Sequence, residues 1–155
     1  MAKNYGKKFE KQFEQDFLKI PGSTIDRIYD PGFKRKGISN ICDFIGYKEP
    51  HIYYLECKSI KGGTFPLNNL TQYDKLIEKK SIKGAITGAA IWFYEKDKVI
   101  FVPITTFEKL KLDGKKSVNI KMLDTKDYEI LEIPSIKKRV YMESDYTVLV
   151  NYGGV

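Results

Sequence analysis

Asp43-Phe-Ile-Gly-Tyr47, then Lys48-Glu49-Pro50, then His51-Ile-Tyr-Tyr-Leu-Glu56-Cys-Lys58 is the stretch on which the fold turns. If the chain reverses at Glu49-Pro50, residues whose numbers sum to 99 face one another, and Asp43 lies across from Glu56. Like charges opposed on an antiparallel pair are destabilising. Such a conflict is tolerated mainly at functional sites, where a divalent cation between two carboxylates turns repulsion into coordination. Lys58, two residues past Glu56, points from the same strand face. Two carboxylates and an amine at one spot suggest metal-assisted phosphodiester hydrolysis.

The rest of the chain sets bounds on that reading. Its 155 residues are the size of one compact domain, with a core expected over about 5–112 and a peripheral β region over about 115–155. A composition 42% hydrophobic and 14% aromatic suits a folded globular protein. No apolar run approaches the roughly 18 residues that span a bilayer, and Met1 to Lys8 leads into a charged amphipathic segment, so a cytoplasmic location is expected. Cys42 and Cys57 fall beside the two carboxylates and point to the opposite face, which reads as packed free thiols. With a single histidine in the chain they make no structural zinc site, leaving hard cations with oxygen ligands.

Lysine and arginine outnumber acids 27 to 20, a formal charge of +7. Such a surface attracts polyanions. The clusters Lys34-Arg35-Lys36, Lys58 with Lys61, and Lys79-Lys80 with Lys83 flank the carboxylates. Arg27, Lys34, Arg35, Lys36 and Lys61 are the candidate phosphate contacts. Tyr29 and Phe33 are candidates for stacking on an unpaired base.

Residues 3–20 read as a helix with Tyr5, Phe9, Phe13, Phe17, Leu18 and Ile20 as its apolar stripe, ended by Pro21-Gly22. Glu10 and Glu14 sit one turn apart beside that stripe. Thr24–Tyr29 alternates as a strand and the hairpin follows. Gly62-Gly63 breaks the chain, Pro66 opens a polar turn, and a helix is expected from Asn68 or Asn69 to Lys80 over Leu70, Tyr73, Leu76 and Ile77. Ala85–Tyr94 is nearly continuously apolar, as in a central strand buried on both faces, and Val99–Pro103 pairs back on it. Ile104–Leu112 is a short helix capped by Thr105 or Thr106. Strands are expected at Val118–Met122, Tyr128–Ile133, Val140–Met142 and Tyr146–Val150. His51 is expected to be solvated at the hairpin turn, and Trp92 to lie in the core. The fold class is α/β, a central mixed sheet flanked by helices with a β-rich C-terminal region.

Asp43 followed by Leu-Glu56-Cys-Lys58 resembles the PD-(D/E)XK motif of restriction-endonuclease-like nucleases. Asp43-x-x-Gly46, Tyr53-x-x-Glu56-x-Lys58, Thr64-Phe65-Pro66-Leu67 leading to Asn69 and Gln72, and Gly6-x-x-x-Glu10 resemble RecU-type Holliday-junction resolvases over about residues 5–105. The resemblance implies Mg²⁺ or Mn²⁺ held by Asp43, Glu56 and the backbone carbonyl of Cys57. It implies Lys58 beside the attacking water or the phosphorus, Glu10 (with Glu14 as the alternative) near the metal, and Gln72 touching its shell. It also implies a homodimer nicking branched DNA in recombination and repair.

Two departures stand out. Ile41 replaces a threonine that family members often carry two residues before the aspartate, and the segment Asp30–Asn40 is a short basic loop where RecU proteins insert a stalk. Two other functions stay open: a PD-(D/E)XK nuclease with another DNA substrate, and a non-catalytic DNA-binding domain on the same fold.

Overall fold

The computed structural model describes residues 4–29 and 40–152. The chain runs through α1 (Tyr5–Leu18), β1 (Thr24–Arg27), β2 (Phe44–Lys48), β3 (His51–Ile60), β4 (Thr64–Pro66), a 3₁₀ turn (Leu67–Asn69), α2 (Tyr73–Lys79), β5 (Ala85–Phe93), β6 (Lys98–Pro103) and α3 (Ile104–Leu112). It ends with β7 (Ser117–Asn119), α4 (Met122–Thr125), β8 (Leu131–Glu132), β9 (Ser135–Lys137), β10 (Met142–Ser144) and α5 (Thr147–Asn151).

Six strands form one sheet in the order β1-β2-β3-β5-β6-β8. Only β3 and β5 pair in parallel; the other neighbours are antiparallel, so the sheet is mixed as expected. The hairpin register holds: Phe44 faces Leu55, Ile45 faces Tyr54, and Lys48 closes on His51 across Glu49-Pro50. β5 is buried at every position past Ala85, which is what a continuous apolar run between β3 and β6 requires.

Each sheet face buries its own core. On one face Phe9, Phe13 and Phe17 of α1 pack with Phe44, Tyr53, Leu55 and Cys57. On the other, Leu70, Leu76, Phe107 and Leu110 of the α2 and α3 region pack on Ala89, Ile91 and Phe93. Odd residues of β3 thus face α1, and even ones, Glu56 and Lys58 among them, face the α2 and α3 side. Asn4 caps α1, its side-chain oxygen accepting the Lys7 N–H at 3.0 Å.

Several local expectations are corrected. Leu18 is exposed, because the stripe of α1 turns away before the helix ends. The segment around Pro66 is a short strand, β4, paired with β7, and α2 starts only at Tyr73, after the 3₁₀ turn. Pro66 is tolerated there because the ribbon has just two strands and each is an edge. Neither Thr105 nor Thr106 caps α3; the Thr106 hydroxyl donates instead to the Glu129 carbonyl at 2.6 Å.

Tyr146–Val150 is largely helical, not a strand. Asp145 accepts from the N–H and hydroxyl of Thr147, and Tyr146 and Leu149, three apart, are buried on the α1 side. Met122 begins α4 where a strand was expected to end. Asp16 fastens this C-terminal segment to α1: it is 2% exposed, accepts the Ser144 N–H at 2.9 Å, and takes the Lys19 ammonium at 3.1 Å. His51 is buried, edge-on to Tyr53, because the first residue of β3 points toward the α1-side core. Trp92 is in the core as expected.

Where β5 and β6 run closest, Gly88 lies opposite Pro103, and a Cβ there would collide with the Val102 carbonyl and come within 2.7 Å of the Phe101 ring. Both obstacles belong to a buried strand and cannot swing aside. Gly88→Ala is expected to lower stability by about 1–3 kcal/mol with an unchanged urea m-value; equilibrium urea unfolding checks it, and wild-type stability would refute the packing described.

Candidate active site

Asp43 immediately precedes β2, and its backbone is fixed from two sides. Its N–H donates to the Leu55 carbonyl at 3.2 Å and its carbonyl accepts the Ile28 N–H at 2.8 Å. The side chain is held as well, one carboxylate oxygen accepting the Cys57 N–H at 2.9 Å. Asp43 is therefore pinned to the strand that carries Glu56, at the place the hairpin register extends to.

Glu56 is 2% exposed. Its Oε1 lies 3.4 Å from the Lys58 ammonium, and its Oε2 is buried without a hydrogen-bond partner. A buried carboxylate oxygen with no donor is costly. Burial first, then the Asp43 carboxylate, push the Glu56 carboxyl up to about 8, with Lys58 pulling the other way. The orphaned Oε2 and the facing Asp43 suit a hard cation with oxygen ligands.

Glu10 stands at the margin. Its carboxylate takes the Arg27 guanidinium at 2.7 Å, and Arg27 also feels the Asp43 charge and lies over the Phe44 and Tyr29 rings. Hence Arg27 joins the first helix to the aspartate instead of standing free on the surface. The sequence carried a signal for this: a basic residue at the end of an edge strand beside a helix with two acids. Glu14 is half-buried. Among the described residues, no three His, Cys, Asp or Glu side chains group as a metal site. Both thiols are free and buried, as expected, but only Cys57 points to the opposite face; Cys42, which precedes β2 and follows no strand alternation, packs in the α2 and α3-side core near Glu56.

Gln72 stands just before α2, its amide oxygen accepting the Thr71 hydroxyl at 2.9 Å, and no contact joins it to Asp43, Glu56 or Lys58. Lys61 is exposed just beyond β3. Tyr29 is 76% exposed, available for stacking as far as burial goes. Lys34, Arg35, Lys36 and Phe33 lie outside the described residues. No helix among the described residues is long and apolar enough to cross a membrane.

The model of the family Recombination protein U matches residues 23–152 of the chain. Among solved structures, the chain is similar to that of Archaeoglobus fulgidus Hjc, a Holliday junction resolvase from an archaeal hyperthermophile. The two are 17% identical with a TM-score of 0.58, and the match covers 77% of this chain and 93% of that one. At that identity the likeness speaks for the fold, a mixed sheet flanked by helices. No curated protein matches the chain.

The raised Glu56 carboxyl has a consequence for stability. Its ordinary value is 4.5 and its folded one about 8, so between those limits the native state binds the extra proton and stability falls as pH rises. In metal-free buffer the unfolding free energy is expected to decline from about pH 5 to about pH 8. In Glu56→Gln that part of the slope is expected to vanish. Urea unfolding across this range checks it, and an unchanged slope in the variant would show that Glu56 is not its source.

Proposed function

This chain belongs to the Recombination protein U family of Holliday-junction resolvases, and we propose that its endonuclease chemistry is carried by Asp43, Glu56 and Lys58. The reaction proposed is divalent-metal-dependent nicking of four-way junctions by a homodimer, whose two sites cut symmetric strands. The observation that carries this reading is Asp43 tied to the Cys57 N–H at 2.9 Å, Lys58 at 3.4 Å from Glu56, and a Glu56 carboxylate oxygen buried without a partner. A protein that needed this hairpin only for folding would gain by replacing the buried acid with an apolar residue.

The roles proposed are those the family resemblance implies. Asp43 and Glu56, with the backbone carbonyl of Cys57, would hold Mg²⁺ or Mn²⁺; the cation, when bound, polarises a phosphoryl oxygen and makes a bound water acidic. The Cys57 N–H keeps one Asp43 oxygen oriented and leaves the other for the site. Lys58, a quarter exposed at its side chain, offers its ammonium to the attacking water or to charge developing on the phosphorus. Glu10 pairs with Arg27 at 2.7 Å, and the role assigned to it is to receive waters of the metal shell. Gln72, tied to Thr71, contributes only if it turns toward substrate. Lys34, Arg35, Lys36 and Lys61 are proposed as phosphate contacts; Arg27 is proposed for that role only secondarily.

Incubation with an immobile four-way junction and a matched linear duplex in Mg²⁺ tests the proposal. Paired symmetric nicks are expected on the junction, lost in Asp43→Asn, and slowed about 10²–10³-fold in single turnover by Lys58→Ala. Equal cleavage of linear duplex would move the substrate to duplex DNA in general, and tight binding without cleavage would overturn the nuclease reading.

A further inference from the structure

Six of the described lysines are ion-paired, and others on several elements, Lys7, Lys8, Lys48, Lys61, Lys83 and Lys96 among them, have no ion pair among the described residues. Lys19, Lys58, Lys80, Lys98, Lys137 and Lys138 each have a carboxylate within 4 Å. Lys109 reaches the Asp127 carbonyl at 3.3 Å and lies over the Tyr128 ring. At the far end of α3, by contrast, Lys115 and Lys116 are exposed and have no ion pair among the described residues. Lys111 lacks one too, its ammonium resting 4.1 Å from the centre of the Tyr73 ring. From Lys109 to Lys121 there are five lysines and a single acid, Asp113, whose carboxylate takes the Tyr128 hydroxyl at 2.8 Å.

These cations edge a groove of about 370 Å³ lined by Leu67, Asn68, Lys111, Gly114, Lys115 and Lys116. The groove has a firm frame. Leu67 N–H donates to the Lys116 carbonyl at 2.9 Å, Lys115 N–H to the Leu110 carbonyl at 2.9 Å, and β4 and β7 pair alongside. Leu67 and Leu110 are buried in the same core as Ala89 and Ile91, the neighbours of Glu56 and Lys58 in the β3–β5 register. The groove therefore belongs to the layer that covers the sheet face of Glu56 and Lys58.

Helix stability explains part of the pattern but not all of it. Lysines in the last turn of a helix answer the negative end of its dipole, which accounts for Lys109 and Lys111. Lys115 and Lys116 lie beyond Gly114, outside that turn. Unpaired ammoniums bordering an open groove, with an amide at Asn68, suit phosphate oxygens of a polyanion and carry no means of reading sequence.

We propose that the groove between Asn68 and the Lys111–Lys116 corner grips the phosphate backbone of a duplex arm running away from the Asp43/Glu56/Lys58 site. This rests on the nuclease reading above and assigns it a second, non-catalytic contact.

The test is salt dependence of binding to a long-armed four-way junction in EDTA, read by fluorescence anisotropy from about 50 to about 200 mM NaCl. A Lys111→Gln/Lys115→Gln/Lys116→Gln variant is compared with the charge-matched Lys98→Gln/Lys137→Gln/Lys138→Gln. Each lost phosphate contact removes about 0.9 from the log–log slope, so the groove variant is expected to lose about 2–3 and the control about none. In single-turnover cleavage in Mg²⁺ the groove variant is expected to need more protein than wild type to reach half its plateau rate, while the Lys98/Lys137/Lys138 control needs the same amount as wild type, since phosphate contacts position the substrate. An unchanged slope in the groove variant, or an equal fall in both, overturns the groove assignment while wild-type cleavage keeps the nuclease reading. Wild type that neither binds nor cuts the junction overturns that reading itself.

Discussion

Opposed carboxylates on one hairpin are the constraint around which this molecule is arranged. Asp43 and Glu56 cannot drift apart, because Asp43 bonds to β3 through its N–H and its side chain, and β3 is paired on its other side with β5 along nine residues. Flexible surface acids would relax by turning to water. Glu56, 2% exposed and between two paired strands, has no such escape. The repulsion is thus stored in the most rigid part of the sheet, where a site that must hold reacting atoms to within fractions of an ångström is best built.

The two sheet faces divide β3 between the aromatic core under α1 and a second core, on the α2 and α3 side, that borders the proposed site. Odd residues of β3, Tyr53, Leu55 and Cys57, belong to the aromatic core under α1. Of the even residues, Tyr54 and Ile60 pack against the second core, and Glu56 and Lys58 carry the proposed chemistry. Strand alternation thus lets one ten-residue strand serve both ends without compromise. The C-terminal segment contributes on the α1 side, where Asp16 binds the Ser144 N–H and Tyr146 and Leu149 pack with Phe13. It is more integral to the core than alternating short runs suggested.

What was legible in the sequence was what is local and periodic. A two-residue turn sets the pairing of every residue in the β2–β3 hairpin, so Asp43, Glu56 and Lys58 could be placed together from fifteen or so consecutive residues. The stripe of α1 and the apolar run of β5 were readable for the same reason. β4 was not, and the strand expected at Val118–Met122 came without its partner: three residues hold barely one period of alternation, and β4 and β7 lie on distant segments. Nor was the burial of His51, or the pairing of Arg27 with Glu10, since each depends on which element packs opposite. Arg27 read as a surface cation because the acids of α1 are distant in sequence, and only the packing of that helix beside the edge strand brings one to 2.7 Å.

Charge balance explains why the arrangement suits a cation and a phosphodiester together. With Asp43 and Glu56 both ionised, Lys58 cancels one of them, and the set carries a net negative charge that repels phosphate. With Glu56 protonated, as its elevated carboxyl favours at neutral pH, the set is neutral and the repulsion disappears, but so does a ligand. Adding a divalent cation to the fully ionised set leaves it with a single positive charge, the complement of one phosphodiester. The proton on Glu56 and the cation are therefore competing solutions to one electrostatic problem, and only the second leaves a site that attracts its substrate. This is a reason for Glu56 to be buried and not merely present: in water its carboxyl would ionise without a cation, and the site would stand open and repulsive.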